Sequence, residues 1–242
     1  MYLILDFGNT RKKAAIFNGE MLIEEIVFDQ VSEDVLKDVL SRFPEVSAGI
    51  LSSVVNYPSS IDQFLENNMF FIKLDHRTEL PISMQYNTPE TLGIDRIALA
   101  VAANHMFSSN HILVIDAGTC ITYDLITDSG VFMGGAISPG LETRFKALNT
   151  FTDRLPLVSQ KEVNYTIGKN TQECILSGVI NGTLYEIDAF IEQIMLEYKG
   201  CKVIITGGHA NYFDKKLKNN IFAVQNLVMI GLNLILKFNF EK

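Results

Sequence analysis

Short apolar runs separated by turn residues open the chain. They predict three β-strands, at Tyr2 to Leu5, Lys13 to Phe17 and Met21 to Phe28, because each run is brief, rich in branched or aromatic side chains and bounded by turn residues. Strand and helix patterns then alternate, with strands predicted at Ala48 to Val54 and Phe70 to Leu74 and helices predicted to begin near Ser32 and Ser59. This order predicts a mixed α/β fold.

The second half of the chain shows a similar pattern. An almost continuously apolar helix is predicted over Thr91 to Phe107, which indicates burial on most sides. Further strands are predicted at His111 to Ile115, Cys120 to Ile126 and Val203 to Thr206, and further helices over Thr171 to Tyr198 and Val224 to Phe238. Another helix is predicted to begin at Pro139, because proline suits the first helical position.

One local motif occurs in both halves. The segments Leu3 to Thr10 and Val114 to Thr119 each contain an apolar strand, an Asp, a Gly two positions later and a hydroxyl residue, and a second strand follows each of them. This internal repeat predicts a duplicated two-lobe architecture, with lobes at residues 1–110 and 111–242 and a ligand between them.

Composition narrows the class of protein. The chain has 242 residues, 48% of them hydrophobic, and a formal net charge of -8 without any long Lys/Arg run, so we expect an ordered protein that does not bind nucleic acid. Apolar stretches shorter than about 18 residues and the lack of a signal peptide predict a soluble protein without a membrane partner. Three cysteines without a CxxC motif predict reduced, mostly buried thiols and a cytoplasmic location.

The repeated motif can bind phosphate. Glycine lets a ligand approach the backbone closely, so the N–H groups of the turn around Gly8 can face a phosphate. Asp6 can hold a hydrated Mg²⁺, and the Lys13 ammonium can reach a phosphate as a point charge. A single loop of this kind is also typical of an ordinary hairpin turn. The second copy, at Asp116 to Thr119, favours a pair of phosphate-binding loops.

Three further segments carry candidate chemistry. The glycine-rich segment Gly134 to Gly140 is predicted to be a loop leading into a helix, whose N-terminal N–H groups attract anions. Gly207 and Gly208 follow a predicted strand and suit close approach of an adenine ring or a ribose, although a tight turn explains them equally well. In Gly93 to Arg96, a carboxylate beside a guanidinium at a helix start can accept a proton and hold an anion; a charge pair that only stabilises the helix is the alternative.

The order of these motifs, DxGNT, GxDR, DAGT, GGxIxPG and TGG, resembles that of the bacterial type III pantothenate kinases, and the resemblance runs from Asp6 to Gly208. Tyr86 and the segments Thr152 to Pro156 and Ile167 to Thr171 also resemble the family pattern. The resemblance implies an actin-like (ribonuclease H-like) fold and a homodimer that uses ATP, with Mg²⁺ and a monovalent cation (K⁺ or NH₄⁺), to phosphorylate pantothenate in the first step toward coenzyme A.

The resemblance also implies roles for individual residues. The expected ATP-binding residues are Asp6, Phe7, Gly8, Asn9, Thr10, Arg11, Lys12, Lys13, Thr119, Gly207 and Gly208. The expected pantothenate-binding residues are Tyr86, Gly93, Ile94, Asp95, Arg96 and Thr171, the last of them from the partner subunit. Asp95 would be the catalytic base and Asp116 the ligand of the monovalent cation, while Asp6 would bind Mg²⁺ through water.

Two residues depart from the family pattern, Cys120 and Asp153, which stand where alanine is usual. Cys is small enough to pack like Ala, whereas Asp153 puts the local packing in doubt. Two rival functions stay open at this point. One is another kinase or phosphatase of the actin-like superfamily, acting on a sugar or acetate, and the other is a non-catalytic regulatory accessory factor.

Overall fold

The computed structural model of the chain describes residues 1–9 and 11–242, so the candidate ATP-binding residue Thr10 lies outside the described residues. The chain divides into two compact units. The first contains residues 1–108, 130–132 and 226–242, and the second contains residues 109–129 and 133–225. The C-terminal helix thus belongs to the first unit, whereas a division at residue 110 assigns it to the second lobe.

The first unit is built on a five-stranded sheet. Its strands are β1 (Tyr2–Phe7), β2 (Lys12–Asn18), β3 (Met21–Phe28), β4 (Ala48–Ser53) and β5 (Phe70–Lys73), in the order β3-β2-β1-β4-β5. The central strand β1 runs antiparallel to β2 and parallel to β4. This register places Asp6 opposite Lys13 on one side and opposite Ser52 on the other.

Helices complete the first unit. They are α1 (Glu33–Arg42), α2 (Ser60–Asn68), α3 (Ile94–Met106) and α7 (Leu227–Phe240), and the unit also has a short strand, β6 (Ser83–Met84), and a 3-10 turn, Pro89–Thr91. Leu36 of α1 and Leu65 of α2 are buried against one face of the sheet. α7 packs on α3, β1 and β4, and α3 also packs on β4. α3 and α7 approach closely, because a Cβ at Gly231 would overlap the backbone of Ala98.

The second unit repeats the sheet of the first. Its strands are β7 (Ile112–Ala117), β8 (Cys120–Ile126), β9 (Val131–Pro139), β10 (Lys202–Thr206) and β11 (Phe222–Ala223), in the order β11-β10-β7-β8-β9. The central strand β7 is antiparallel to β8 and parallel to β10, as β1 is to β2 and β4. The two units therefore share one strand order, which agrees with the duplicated topology expected from the repeat. The start of β9, Val131 and Phe132, groups with the first unit and pairs there with β6.

The helices of the second unit are α4 (Leu141–Thr150), α5 (Thr171–Glu197) and α6 (Ala210–Asp214). Among the described helices, α5 is long and apolar enough to cross a membrane by length and composition alone. The sequence pattern predicts only apolar stretches shorter than about 18 residues. Half of the most apolar window of α5 is buried, and Ile180, Ile187 and Ile191 lie in the core of the second unit. The apolar residues of α5 are therefore explained by its place in the core of the second unit.

The structure corrects several expectations. Gly134 and Gly135 lie in strand β9 rather than in a loop, because a Cβ at Gly135 would overlap the carbonyl of Tyr123 on the neighbouring strand. Pro139 ends that strand, and α4 begins after an N-cap at Gly140. Two of the three cysteines, Cys120 and Cys174, are exposed, and only Cys201 is buried.

Candidate active site

The first candidate phosphate loop joins β1 to β2. The Gly8 N–H donates to the Arg11 carbonyl at 3.0 Å and closes the turn. Asn9 and Arg11 are exposed at this turn, while Gly8 and Lys12 are half-buried. Phe7 is fully buried, and its ring packs edge-on against Tyr57 with 5.3 Å between centroids. Phe7 can therefore offer a ligand only its backbone.

Among the candidate site residues of the first unit, Asp6 has the carboxylate whose pKa is shifted most. Burial and, to a smaller extent, the nearby negative charge of Asp95 raise its pKa from 3.8 to about 6, against the opposing effect of Lys13. The end of β1 and the start of α3 thus bring two carboxylates together. Two carboxylates in one partly desolvated place attract a cation or a proton.

Lys13 lies opposite Asp6 but is engaged by other groups. Its Nζ donates to Glu25 Oε1 at 2.9 Å and to Asn226 Oδ1 at 3.3 Å. Asn226 adopts a left-handed conformation, φ 57°, at the N-cap of α7. Sequence reasoning missed both partners, and Asn226 is 213 residues away along the chain. For Lys13 to reach a phosphate, its ammonium would have to share or leave these contacts.

The GxDR segment begins α3, as expected. Gly93 is the N-cap, and the Arg96 N–H donates to Asp95 Oδ1 at 2.9 Å. A Cβ at Gly93 would lie only 2.5 Å from that same oxygen, so glycine makes room for the Asp95 carboxylate. Ile94 is half-buried and Arg96 is buried.

Phe132 joins two of the predicted pantothenate-binding residues. The Arg96 guanidinium lies 5.9 Å from the centroid of the Phe132 ring, and the Tyr86 ring lies 6.0 Å from it. The Gln85 N–H, next to Tyr86, donates to the Phe132 carbonyl at 2.8 Å. Sequence reasoning missed Phe132, since nothing in the local pattern ties it to residues more than thirty positions away.

The second candidate phosphate loop joins β7 to β8. The Gly118 N–H donates to the Cys120 carbonyl at 2.9 Å. The Thr119 carbonyl accepts from the Gly140 N–H at 3.0 Å and from Thr143 Oγ1 at 2.7 Å. A Cβ at Gly140 would overlap the Gly118 carbonyl. The start of α4 is therefore hydrogen-bonded directly to this loop.

Asp116 lies beside the TGG segment. Gly207 has φ +91°, and a Cβ there would overlap the Asp116 carboxylate, whereas a Cβ at Gly208 would meet open space. Thr122 lies opposite Asp116 across the β7–β8 ladder. Its Oγ1 is buried and has no hydrogen-bond partner among the described residues. A half-buried carboxylate and a neighbouring buried hydroxyl are oxygen ligands of the kind a hard cation binds.

Thr171 is the first residue of α5 and is exposed. Asn170 caps this helix by accepting from the Glu173 N–H at 3.0 Å. Thr171 belongs to the second unit, whereas Tyr86 and Asp95 belong to the first. Within the first unit, the structure brings together Asp6 with Asp95 and Tyr86 with Arg96.

Comparison with known proteins identifies the family. The family model for type III pantothenate kinases matches residues 2–193. The chain belongs to the type III pantothenate kinase family. A type III pantothenate kinase from Christiangramia forsetii is 43% identical over 242 residues and one from Phocaeicola vulgatus is 45% identical over 240, and each alignment covers 99% of both chains.

The fold of this type III pantothenate kinase also matches solved kinases. A glucokinase from an Antarctic psychrotroph superposes with a TM-score of 0.52 at 12% identity, covering 98% of each chain. This confirms the predicted actin-like, mixed α/β fold class. The described residues contain no group of three or more His, Cys, Asp or Glu side chains that could enclose a metal.

Proposed function

We propose that this chain transfers the γ-phosphoryl group of ATP to the primary hydroxyl of pantothenate, forming 4'-phosphopantothenate and ADP in the first step toward coenzyme A. The main observation in support is that Asp6, in the first phosphate loop, lies near Asp95, in the GxDR segment. Phosphoryl transfer needs an acceptor site and a phosphate site side by side. Membership of the type III pantothenate kinase family supports the same substrates.

The ATP site would be formed by two loops and the TGG segment. The Gly8 and Gly118 N–H groups close their own turns, on the Arg11 and Cys120 carbonyls, so the other backbone N–H groups of these two loops would be the ones directed at the phosphates. The open space above Gly208 would admit the adenosine.

The acceptor site would be formed around the start of α3. Tyr86, Gly93, Ile94 and Arg96 would hold pantothenate, with Arg96 pairing with its carboxylate. Phe132 supports this assignment, because its ring contacts both Tyr86 and Arg96 and fixes their relative position.

Asp95 would act as the general base. As the acceptor oxygen bonds to the γ-phosphorus and the bond from that phosphorus to the β–γ bridging oxygen breaks, the hydroxyl proton passes to the Asp95 carboxylate. The hydrogen bond from the Arg96 N–H to Asp95 Oδ1 would fix the carboxylate and leave its other oxygen for the substrate hydroxyl.

Two cations fit the residues present. Asp6 would bind hydrated Mg²⁺, which fits because burial and Asp95 raise the pKa of Asp6 and a cation would offset that cost. Asp116 would bind K⁺ or NH₄⁺, and the buried, unpartnered Thr122 Oγ1 is a suitable second ligand. When bound, such cations neutralise charge on the phosphates.

We also propose a homodimer built on the outer face of α5, with Thr171 completing the acceptor site of a second copy. A Cβ added at Gly178 or Gly182 would meet no atom within 4 Å, so a second backbone can approach there. Tyr185 and Ile167 are exposed, at 55% and 79%, although both are large and apolar enough to favour burial.

The deciding experiment measures ADP release by the purified protein with ATP, Mg²⁺ and K⁺, with and without pantothenate. We expect release that depends on pantothenate, and no comparable release with a panel of sugars or acetate. Release that depends on a sugar instead would contradict the proposal, and so would nucleotide binding without turnover. The acidic charge of the chain and its small-molecule substrates support a cytoplasmic enzyme without a nucleic-acid or membrane partner.

A further inference from the structure

Arg144, on the first turns of α4, binds three groups at once. Its Nε donates to the Pro139 carbonyl at 2.7 Å, and its Nη2 donates to Ser138 Oγ at 2.7 Å and to Glu186 Oε2 at 2.6 Å. The guanidinium therefore ties the end of β9 to α5. Its planar shape with several fixed donors suits this better than an ammonium would.

Glu186 of α5 is held from its other oxygen as well. Tyr123 OH donates to Glu186 Oε1 at 3.0 Å, and the Tyr123 ring stacks on Phe190 with 4.2 Å between centroids. Burial raises the pKa of Glu186, but hydrogen bonds led by that of Arg144 lower it more, so the net pKa lies below the usual range. The carboxylate is thus charged and fixed at neutral pH.

This network reaches the second phosphate loop through one turn. Arg144 donates hydrogen bonds to Ser138 and Pro139. These two residues directly precede Gly140, whose N–H donates to the Thr119 carbonyl. Thr143, one residue before Arg144, donates to the same carbonyl. Arg144 therefore fixes the segment that holds Thr119, although its own hydrogen bonds to described residues go to Ser138, Pro139, Gly140 and Glu186 rather than to the loop.

We propose that Arg144, clamped by Glu186, is a positioning residue that sets the geometry of the phosphate loop at Thr119 and thereby the binding of the ATP phosphates. This inference rests on the proposed function, because it assumes that Thr119 contacts the nucleotide. Misplacing a phosphate contact by about 1 Å can cost about 10²-fold in rate.

The test is the steady-state kinetics of R144M and E186Q. For R144M we expect kcat/KM for ATP to fall by about 10- to 100-fold, with KM for pantothenate within about twofold of wild type. E186Q should show the same selective defect to a smaller extent. The double variant should be no worse than R144M, because both residues act through one network.

Arg42 provides a matched control. Its Nη2 donates to Glu24 Oε2 at 2.6 Å in the first unit, so R42M removes a more exposed arginine–glutamate pair of the same length and should leave both KM values unchanged. A folded R144M with a wild-type kcat/KM for ATP would overturn the inference, and so would equal rises in both KM values. If R144M does not fold, E186Q and R144K are judged by the same criterion. If the wild-type protein releases no ADP in response to pantothenate, the proposed function is contradicted. That outcome is distinct from a failure of the Arg144 inference, which is judged on the variants.

Discussion

Replacing Asp6 by Asn should abolish most activity and at the same time stabilise the folded protein. In the folded protein Asp6 is desolvated and close to Asp95, and its pKa is raised from 3.8 to about 6. The folded state therefore disfavours the carboxylate that the unfolded chain readily forms. The resulting loss of folding stability is absent below about pH 4, grows as the pH rises from 4 to 6, and reaches its full value above pH 6.

The magnitude follows from the two pKa values. Each pKa unit corresponds to about 1.4 kcal/mol, so Asn, which resembles the protonated acid, should add about 3 kcal/mol of stability at pH 8. For a chain of this size that corresponds to a rise in Tm of roughly 6–12 °C. Turnover should fall by about 10²-fold or more, because the proposed carboxylate ligand of the hydrated Mg²⁺ is lost, and with it the cation that stabilises negative charge on the transferring phosphate.

Thermal unfolding of D6N and wild type at pH 4 and at pH 8, without nucleotide or divalent cation, measures the effect. The two proteins should have similar Tm values at pH 4 and diverge at pH 8. The matched control is D38N, at an exposed carboxylate on α1, which should leave Tm unchanged at both pH values. A D6N protein less stable than wild type at pH 8, or an equal gain at both pH values, would refute the electrostatic reasoning.

Three further outcomes are expected. Asp95→Asn should lower kcat by about 10²–10⁴-fold with little change in KM for ATP, and near-normal turnover in stopped assays would remove Asp95 as the base. Replacing Na⁺ by K⁺ at constant ionic strength should raise the rate, and Thr122→Val should weaken this response; equal rates in both salts would count against a cation at Asp116. Gly182→Arg should give a monomer by light scattering and raise KM for pantothenate, whereas a fully active monomer would sink the proposed dimer.

The sequence predicts the strand–loop–strand repeats well, because they depend on local patterns. The strands around Asp6 and Asp116 occur where the apolar runs predict them, and the predicted helix over Thr171 to Tyr198 is α5. A buried strand bounded by turn residues carries its signal within a few positions.

The errors arise where distant backbone segments touch. Proline is common at the first helical position, yet Pro139 ends β9, because Gly140 is needed as the N-cap beside the Gly118 carbonyl. Gly135 looks like a loop residue, although its role is to let β9 pass Tyr123. The partners of Lys13 and the place of Phe132 depend in the same way on tertiary contacts, which a single sequence does not display.

The position of α7 has a consequence for how the protein is made. The first unit needs α7 against α3, through the close approach of Gly231 to Ala98 and a hydrogen bond from Asn233 Nδ2 to the Gly19 carbonyl at 2.8 Å. The ribosome synthesises α7 only after the whole of the second unit. During translation the apolar surface of α3 must therefore stay uncovered or be held by a chaperone, while the second unit, all of whose residues precede α7 in the chain, can already fold. In this protein the unit that begins first is completed last.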